Sequence, residues 1–174
     1  MGPVAATDAA FLSAVRWVID IAEGGSSRVS DQGGLTRFGI SQRAHPDLDI
    51  ENLTRAQAED IYRRDYWDAM HCEQLPPMLA LVVFDAAVNQ GRVQAAKLLQ
   101  RALRVREDGI VGAETIQAAR MFRPWGELVA VFLELRLRTY EELGRDYPRH
   151  AGSLYGWRMR CFRLALEAGT WRSA

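Results

Sequence analysis

The chain has 174 residues, 48% hydrophobic and 25% charged, with 22 acidic side chains balancing 22 basic ones, the composition of an ordinary folded domain rather than a disordered or fibrous chain. No run reaches transmembrane length, and Asp8, Arg16 and Asp20 interrupt the first twenty residues, so neither a spanning helix nor a secretion signal is expected. The charge is uneven: 13 acidic and 7 basic residues lie before Gly91, 9 acidic and 15 basic after it, a pattern that suits a basic half meeting an anionic polymer, although solvated helix faces account for most charge runs.

Nearly all the positive charge is arginine, with Lys97 the single lysine, and no nucleic-acid motif accompanies it, so a nucleic-acid partner is not expected. Cys72 and Cys161 have no metal-type spacing and read as buried free thiols, with a disulfide as the alternative.

From Thr7, a candidate N-cap, Phe11, Val15, Val18, Ile19 and Ala22 recur at helical spacing until Gly24 and Gly25 stop the helix. Glu23 then sits in the last turn, where unpaired carbonyls oppose ionisation and raise its pKa. Ser26 to Gln32 reads as polar loop, Gly33-Gly34 as a tight turn, and Leu35 to Ile40 as a short strand or hairpin arm that holds Thr36. Asp31, in its loop, is expected to be solvated and ionised. A protonated Glu23 and an ionised Asp31 would be two carboxyl groups with separated pKa values, the requirement of glycoside hydrolysis.

Leu53 to Ala58 reads as a staple and capping box opening the next helix, which ends in the aromatic pair Tyr66-Trp67, suited to core packing or to sugar stacking. His71, Cys72 and Glu73 are adjacent, do not converge on a helix and lack a second ligand pair, so no metal is expected. Met78 to Val88 is apolar all round, as in a helix through the centre of a helical domain. Within it Asp85 and Asn89 share a face, as a core polar network or the floor of a cleft. Gly91 marks the internal boundary, dividing residues 1–90 from 91–174. Val93, Ala96, Leu99 and Leu103 follow at helical spacing, then the turn Asp108 to Gly112, a helix opening near Glu114 and Thr115, a long helix through Leu128, Val131, Phe132 and Leu135, and a final helix from Gly156 that carries Trp157.

The strings Glu23-Gly24-Gly25, Asp31-Gln32-Gly33-Gly34 and Thr36-Arg37-Phe38-Gly39-Ile40 resemble the signature of glycoside hydrolase family 108, lysozyme-like N-acetylmuramidases found mainly in bacteriophages and prophages. The likeness continues through Tyr66-Trp67-Asp68, Cys72, Leu75-Pro76 and Phe84 to Gly91. The Leu99 to Leu103 and Asp108 to Gly112 elements resemble the family's C-terminal predicted peptidoglycan-binding module, and Gly156-Trp157 with Arg160 its ending. The chain departs at Ser26, where an aromatic residue is usual, and at Gln32, where the family has proline.

The resemblance implies a mainly α, lysozyme-like fold with a small β-hairpin near the active site and the helical 91–174 segment packed on the same body. It also implies cleavage of the β-1,4 bond between N-acetylmuramic acid and N-acetylglucosamine in peptidoglycan. Glu23 would be the general acid, with Asp31 and Thr36 stabilising charge and positioning water, and Tyr66, Trp67, Asn89 and Trp157 would bind substrate. Of Asn89's two alternatives, the resemblance favours the cleft. No cofactor is expected, and the protein is expected to act as a monomer on peptidoglycan strands, its basic half gripping anionic envelope groups. An endolysin of this kind would gather in the host cytoplasm until a holin releases it to the periplasm. A lytic transglycosylase, or a noncatalytic peptidoglycan-binding or secretion-related protein, is the alternative.

Overall fold

The computed structural model describes residues 4–22, 29–31 and 34–171, with side chains over 8–22 and 34–171. The chain forms two compact units, Met1–Asp68 and Ala69–Ala174. Gly91, where the sequence reading divides the chain, lies inside the second. The fold is mainly helical with one small antiparallel sheet, as expected.

The first unit begins with α1, Val4–Arg16. The helix starts before Thr7, the expected cap, because the Ala5-Ala6 pair carries strong helix propensity into the preceding turn. Asp8 serves a tertiary contact instead: its carboxylate accepts from Arg63 Nη2 at 2.8 Å, and the Arg63 guanidinium lies 4.1 Å from the Phe11 ring centroid. Past Arg16 the helix widens into a π-helix, Trp17–Ala22, that buries Trp17, Val18 and Ile19 in succession.

Three strands follow: β1, Val29–Asp31; β2, Gly34–Arg37; and β3, Ile40–Ser41. They pair antiparallel in the order β1-β2-β3. β1 falls where the sequence reads as polar loop. Asp31 opposes Gly34, and pairing with β2 overrides the weak strand propensity of Ser30 and Asp31. The next turn carries positive φ at both Phe38 (52°) and Gly39 (80°), the requirement of a two-residue hairpin whose twist suits its strands. Phenylalanine adopts this region at a cost. Tyr62 offsets it by donating from its hydroxyl to the Phe38 carbonyl at 2.9 Å in a buried position.

Helix α2, Arg55–Tyr62, opens with the expected capping box: Gln57 N donates to Thr54 Oγ1, and Thr54 N donates to Gln57 Oε1 at 2.8 Å. It too passes into a π-helix, Arg63–Asp68, which buries Trp67.

In the second unit a short 3-10 turn, Cys72–Gln74, precedes α3, Pro77–Gln90, in which every residue from Leu79 to Ala87 is buried. Gly91, at φ 87°, separates it from α4, Arg92–Leu103. α5 spans Ala113–Met121, α6 Trp125–Asp146 and α7 Leu154–Thr170, the last preceded by a 3-10 segment, Pro148–Ser153. Residues 104–112 are pinned by Gln100, which is 1% exposed. Its Nε2 donates to Asp108 Oδ1 at 2.7 Å and to the Ile110 carbonyl at 2.9 Å, while its Oε1 accepts from Gly109 N at 2.9 Å. α6 and α7 touch so closely at Gly144 that a Cβ there would lie 2.7 Å from Leu154 Cδ1. Cys72 and Cys161 are both buried thiols.

Candidate active site

Glu23, the proposed acid, lies outside the described residues, as does the Asp31 side chain. The chain reaches position 23 from the π-helix ending at Ala22, and that segment is tied down from outside. Asp20 accepts two hydrogen bonds from Arg55, at 2.7 and 3.0 Å, and Arg55 Nε also donates to Glu59 at 2.8 Å. The Arg55 hydrogen bonds hold the Asp20 carboxyl below its usual range, and the two acids raise the already high pKa of Arg55. A groove of about 420 Å³ opens there, lined by Leu12, Ser13, Arg16, Asp20, Arg55 and Glu59. Three of its lining residues, Asp20, Arg55 and Glu59, are already paired with one another.

Further along the chain, β1 and β2 set Val29 opposite Thr36 and Asp31 opposite Gly34. Asp31 and Thr36 are therefore diagonal neighbours in the ladder, a relation that spaces Cα atoms by about 7 to 8 Å. The register makes a pair of two residues that are only loosely associated in sequence. Thr36 is half-buried and also opposes Ser41 of β3. Its strand is held at both ends: Gln42 N donates to the Leu35 carbonyl at 2.8 Å, and Arg37 Nη1 to the Glu51 carbonyl at 2.7 Å. Gln42 Nε2 adds bonds to the carbonyls of His45, Pro46 and Leu48. Such a frame fixes a side chain in place before any ligand arrives. Of the aromatic pair, Tyr66 is half-buried with its ring 5.9 Å from that of Tyr62. Trp67 is 1% exposed and sits edge-on to Phe11 at 5.6 Å. That is the packing use of the residue, and a ring so enclosed presents no face to a sugar.

In the second unit, Asp85 and Asn89 do lie on one face of α3, but their roles divide. Asp85 is fully buried between two arginines: Arg136 Nη1 donates to its Oδ2 at 2.6 Å and Arg160 Nη2 to its Oδ1 at 2.7 Å. Burial pushes the carboxyl up, yet the two guanidiniums outweigh it and hold Asp85 below the ordinary range. This is a core network joining α3, α6 and α7. Asn89, one turn on, is exposed, and its Oδ1 accepts from the Tyr140 hydroxyl. Arg136 Nε donates to that hydroxyl oxygen and to Gln90 Oε1, each at 3.1 Å. Trp157 stacks on Tyr140 with centroids 4.7 Å apart and planes 18° from parallel. Burial raises the Tyr140 hydroxyl and Cys161 thiol pKa values.

The structure thus brings two predicted residues, Asn89 and Trp157, together through a third, Tyr140, that sequence reading missed. A signal for it exists: Leu128, Phe132, Arg136 and Tyr140 recur every fourth residue on α6, and an arginine on an otherwise apolar face implies a buried partner. Among the described residues no group of three His, Cys, Asp or Glu side chains converges as metal ligands, and no described helix is long and apolar enough to cross a membrane.

Residues 16–91 match the family described as Glycosyl hydrolase 108, and residues 94–162 match the Predicted Peptidoglycan domain. The first match contains Glu23, Asp31, Thr36, Tyr66, Trp67 and Asn89, and the second contains Tyr140 and Trp157. Among solved structures the chain resembles SagA of Brucella abortus, with a TM-score of 0.82 and 26% identity over 96% of this chain and 98% of that one. No curated protein matches the sequence. A glycosidase segment followed by a peptidoglycan segment describes a glycoside hydrolase directed at peptidoglycan.

Proposed function

We propose that this member of glycosyl hydrolase family 108, with its predicted peptidoglycan domain, is an endolysin-type N-acetylmuramidase. It would hydrolyse the β-1,4 bond between N-acetylmuramic acid and N-acetylglucosamine. The observation that carries the reading is the β1-β2 register, which makes Asp31 and Thr36 diagonal neighbours on a braced hairpin just beyond the helix that leads to Glu23. Glu23 gives its proton to the leaving oxygen, and Asp31 and Thr36 stabilise the positive charge growing on the muramic acid ring and orient water. The two carboxyl groups decide the stereochemistry: a separation of roughly 5 to 5.5 Å retains the anomeric configuration and roughly 6.5 to 9.5 Å inverts it. In this reading, which draws on the resemblance to phage and prophage enzymes, the protein stays in the host cytoplasm until a holin lesion admits it to the periplasm, where it acts as a monomer.

Digestion of purified peptidoglycan by the wild type and by Glu23→Gln, read by mass spectrometry of the muropeptides, tests this. Reducing muramic acid ends from the wild type, and a loss of at least about a hundredfold in the variant, are expected. Anhydro-muramic ends would assign the chain to the transglycosylases. Equal activity of both proteins would remove Glu23 from its role, and wall binding without turnover would make the protein a binding module.

A further inference from the structure

Asn89 presents an amide with two unlike ends, and the groups behind it determine which one faces outward. Arg136 is a donor only. It is 0% exposed and held by Asp85, itself 0% exposed, at 2.6 Å, so it stays charged. Its Nε lies 3.1 Å from the Tyr140 hydroxyl oxygen, which must therefore accept. The single phenolic proton is left for the other neighbour, Asn89 Oδ1. Turning the amide round would set Nδ2 against an oxygen that already accepts from Arg136. It would also strand the phenolic proton in a residue 2% exposed. Asn89 consequently uses its carbonyl inward and keeps two N–H donors on an exposed side chain.

Beside it, the half-buried Trp157 ring stacks on the same phenol. One residue, Tyr140, thus carries both an aromatic ring and an outward pair of amide donors. A pyranose bearing an acetamido group is complementary to that pairing: its C–H face packs on an indole, and its acetamido carbonyl accepts from an N–H. We propose that Asn89 and Trp157 form a subsite for an N-acetylated hexosamine, with Asn89 Nδ2 donating to the acetamido oxygen. Tyr140, backed by Arg136 and Asp85, is the positioning residue that sets the direction of the amide. The subsite rests on the peptidoglycan reading above, since that supplies the sugar.

The test is calorimetric titration of the full chain with two neutral oligosaccharides, the β-1,4 tetramer of N-acetylglucosamine and the β-1,4 tetramer of glucose, which lacks the acetamido group. The wild type is expected to prefer the acetylated sugar by at least about tenfold, because a site built around a hydrogen bond discriminates against the analogue lacking it. Asn89→Asp, at an exposed position, removes the donors and is expected to bring the ratio to about one. Tyr140→Phe keeps the ring but frees the amide, and is expected to lower the ratio by at least about threefold. Trp157→Leu should weaken both sugars by a similar factor. A ratio unchanged in Asn89→Asp overturns the subsite, and one unchanged in Tyr140→Phe overturns the positioning role. Peptidoglycan digestion by the same preparations separates the two claims. A wild type that digests without preferring the acetylated sugar sinks the subsite and leaves the hydrolase, while one that prefers it without digesting does the reverse.

Discussion

The two units fix their polar side chains by opposite means. In the first unit the ion pair of Arg55 and Asp20 is at the surface, the two side chains 42% and 37% exposed, and the strands are held by backbone turns and side-chain bonds to carbonyls. In the second unit one acid and two arginines are drawn into the interior, with Asp85 and Arg136 at 0% exposure and Arg160 at 10%. The lesson concerns replaceability. An exposed pair exchanges solvent for partner at little net gain, whereas a buried acid between two cations is costly to leave half-made.

Asp85→Ala is the strongest way to test that contrast. It strands Arg136 and part of Arg160 without a counter-charge and should cost about 3 to 5 kcal/mol in urea unfolding of the second unit. The pH dependence has the same origin. Because the folded carboxyl sits below its ordinary value of about 3.9, its contribution is complete above that pH and is lost as pH falls through the lowered folded value. Acid titration of stability should therefore be flatter below about pH 4 in Asp85→Asn than in the wild type. Tyr62→Phe comes next. It leaves the Phe38 carbonyl buried without its donor and should cost about 1 to 3 kcal/mol, with faster amide exchange at Ile40 as the local readout. Arg55→Met should have the smallest effect, within about 1 kcal/mol and shrinking further in salt, since both partners face water. A loss from Arg55→Met equal to that from Asp85→Ala would erase the distinction between the units.

The sequence made local features readable. The capping box at Thr54 and Gln57, the buried run of α3 and the shared face of Asp85 and Asn89 follow from spacing within one helix, and all are present. The Gly33-Gly34 signal located the hairpin, but β1 escaped because its strand character comes from β2 across the turn rather than from Val29 to Asp31 themselves. The two π-helical stretches escaped for a related reason: periodicity reveals that a face is apolar, and three buried neighbours such as Trp17, Val18 and Ile19 fit the helical pattern until the turn is measured. The Asp85 partners lie 51 and 75 residues away, beyond any window. The residue types at 31 and 36 in the first unit and at 89 and 157 in the second were legible, while Tyr140, which joins the last two, became visible only with α3, α6 and α7 assembled.

The Asp85, Arg136 and Arg160 cluster also restricts how this chain can change over time. Replacing all three by well-packed apolar residues would be about neutral or even stabilising, but removing Asp85 leaves two cations without a counter-charge in low-dielectric surroundings, and removing both arginines strands the acid, at a cost of about 3 to 5 kcal/mol either way. A natural domain has only about 5 to 15 kcal/mol of stability to lose. The apolar alternative thus lies across a mutational valley whose intermediates are the least stable members of the path. Once one arginine is gone, the acid and the remaining arginine would still have to change nearly together, so drift is held on the charged side of the divide.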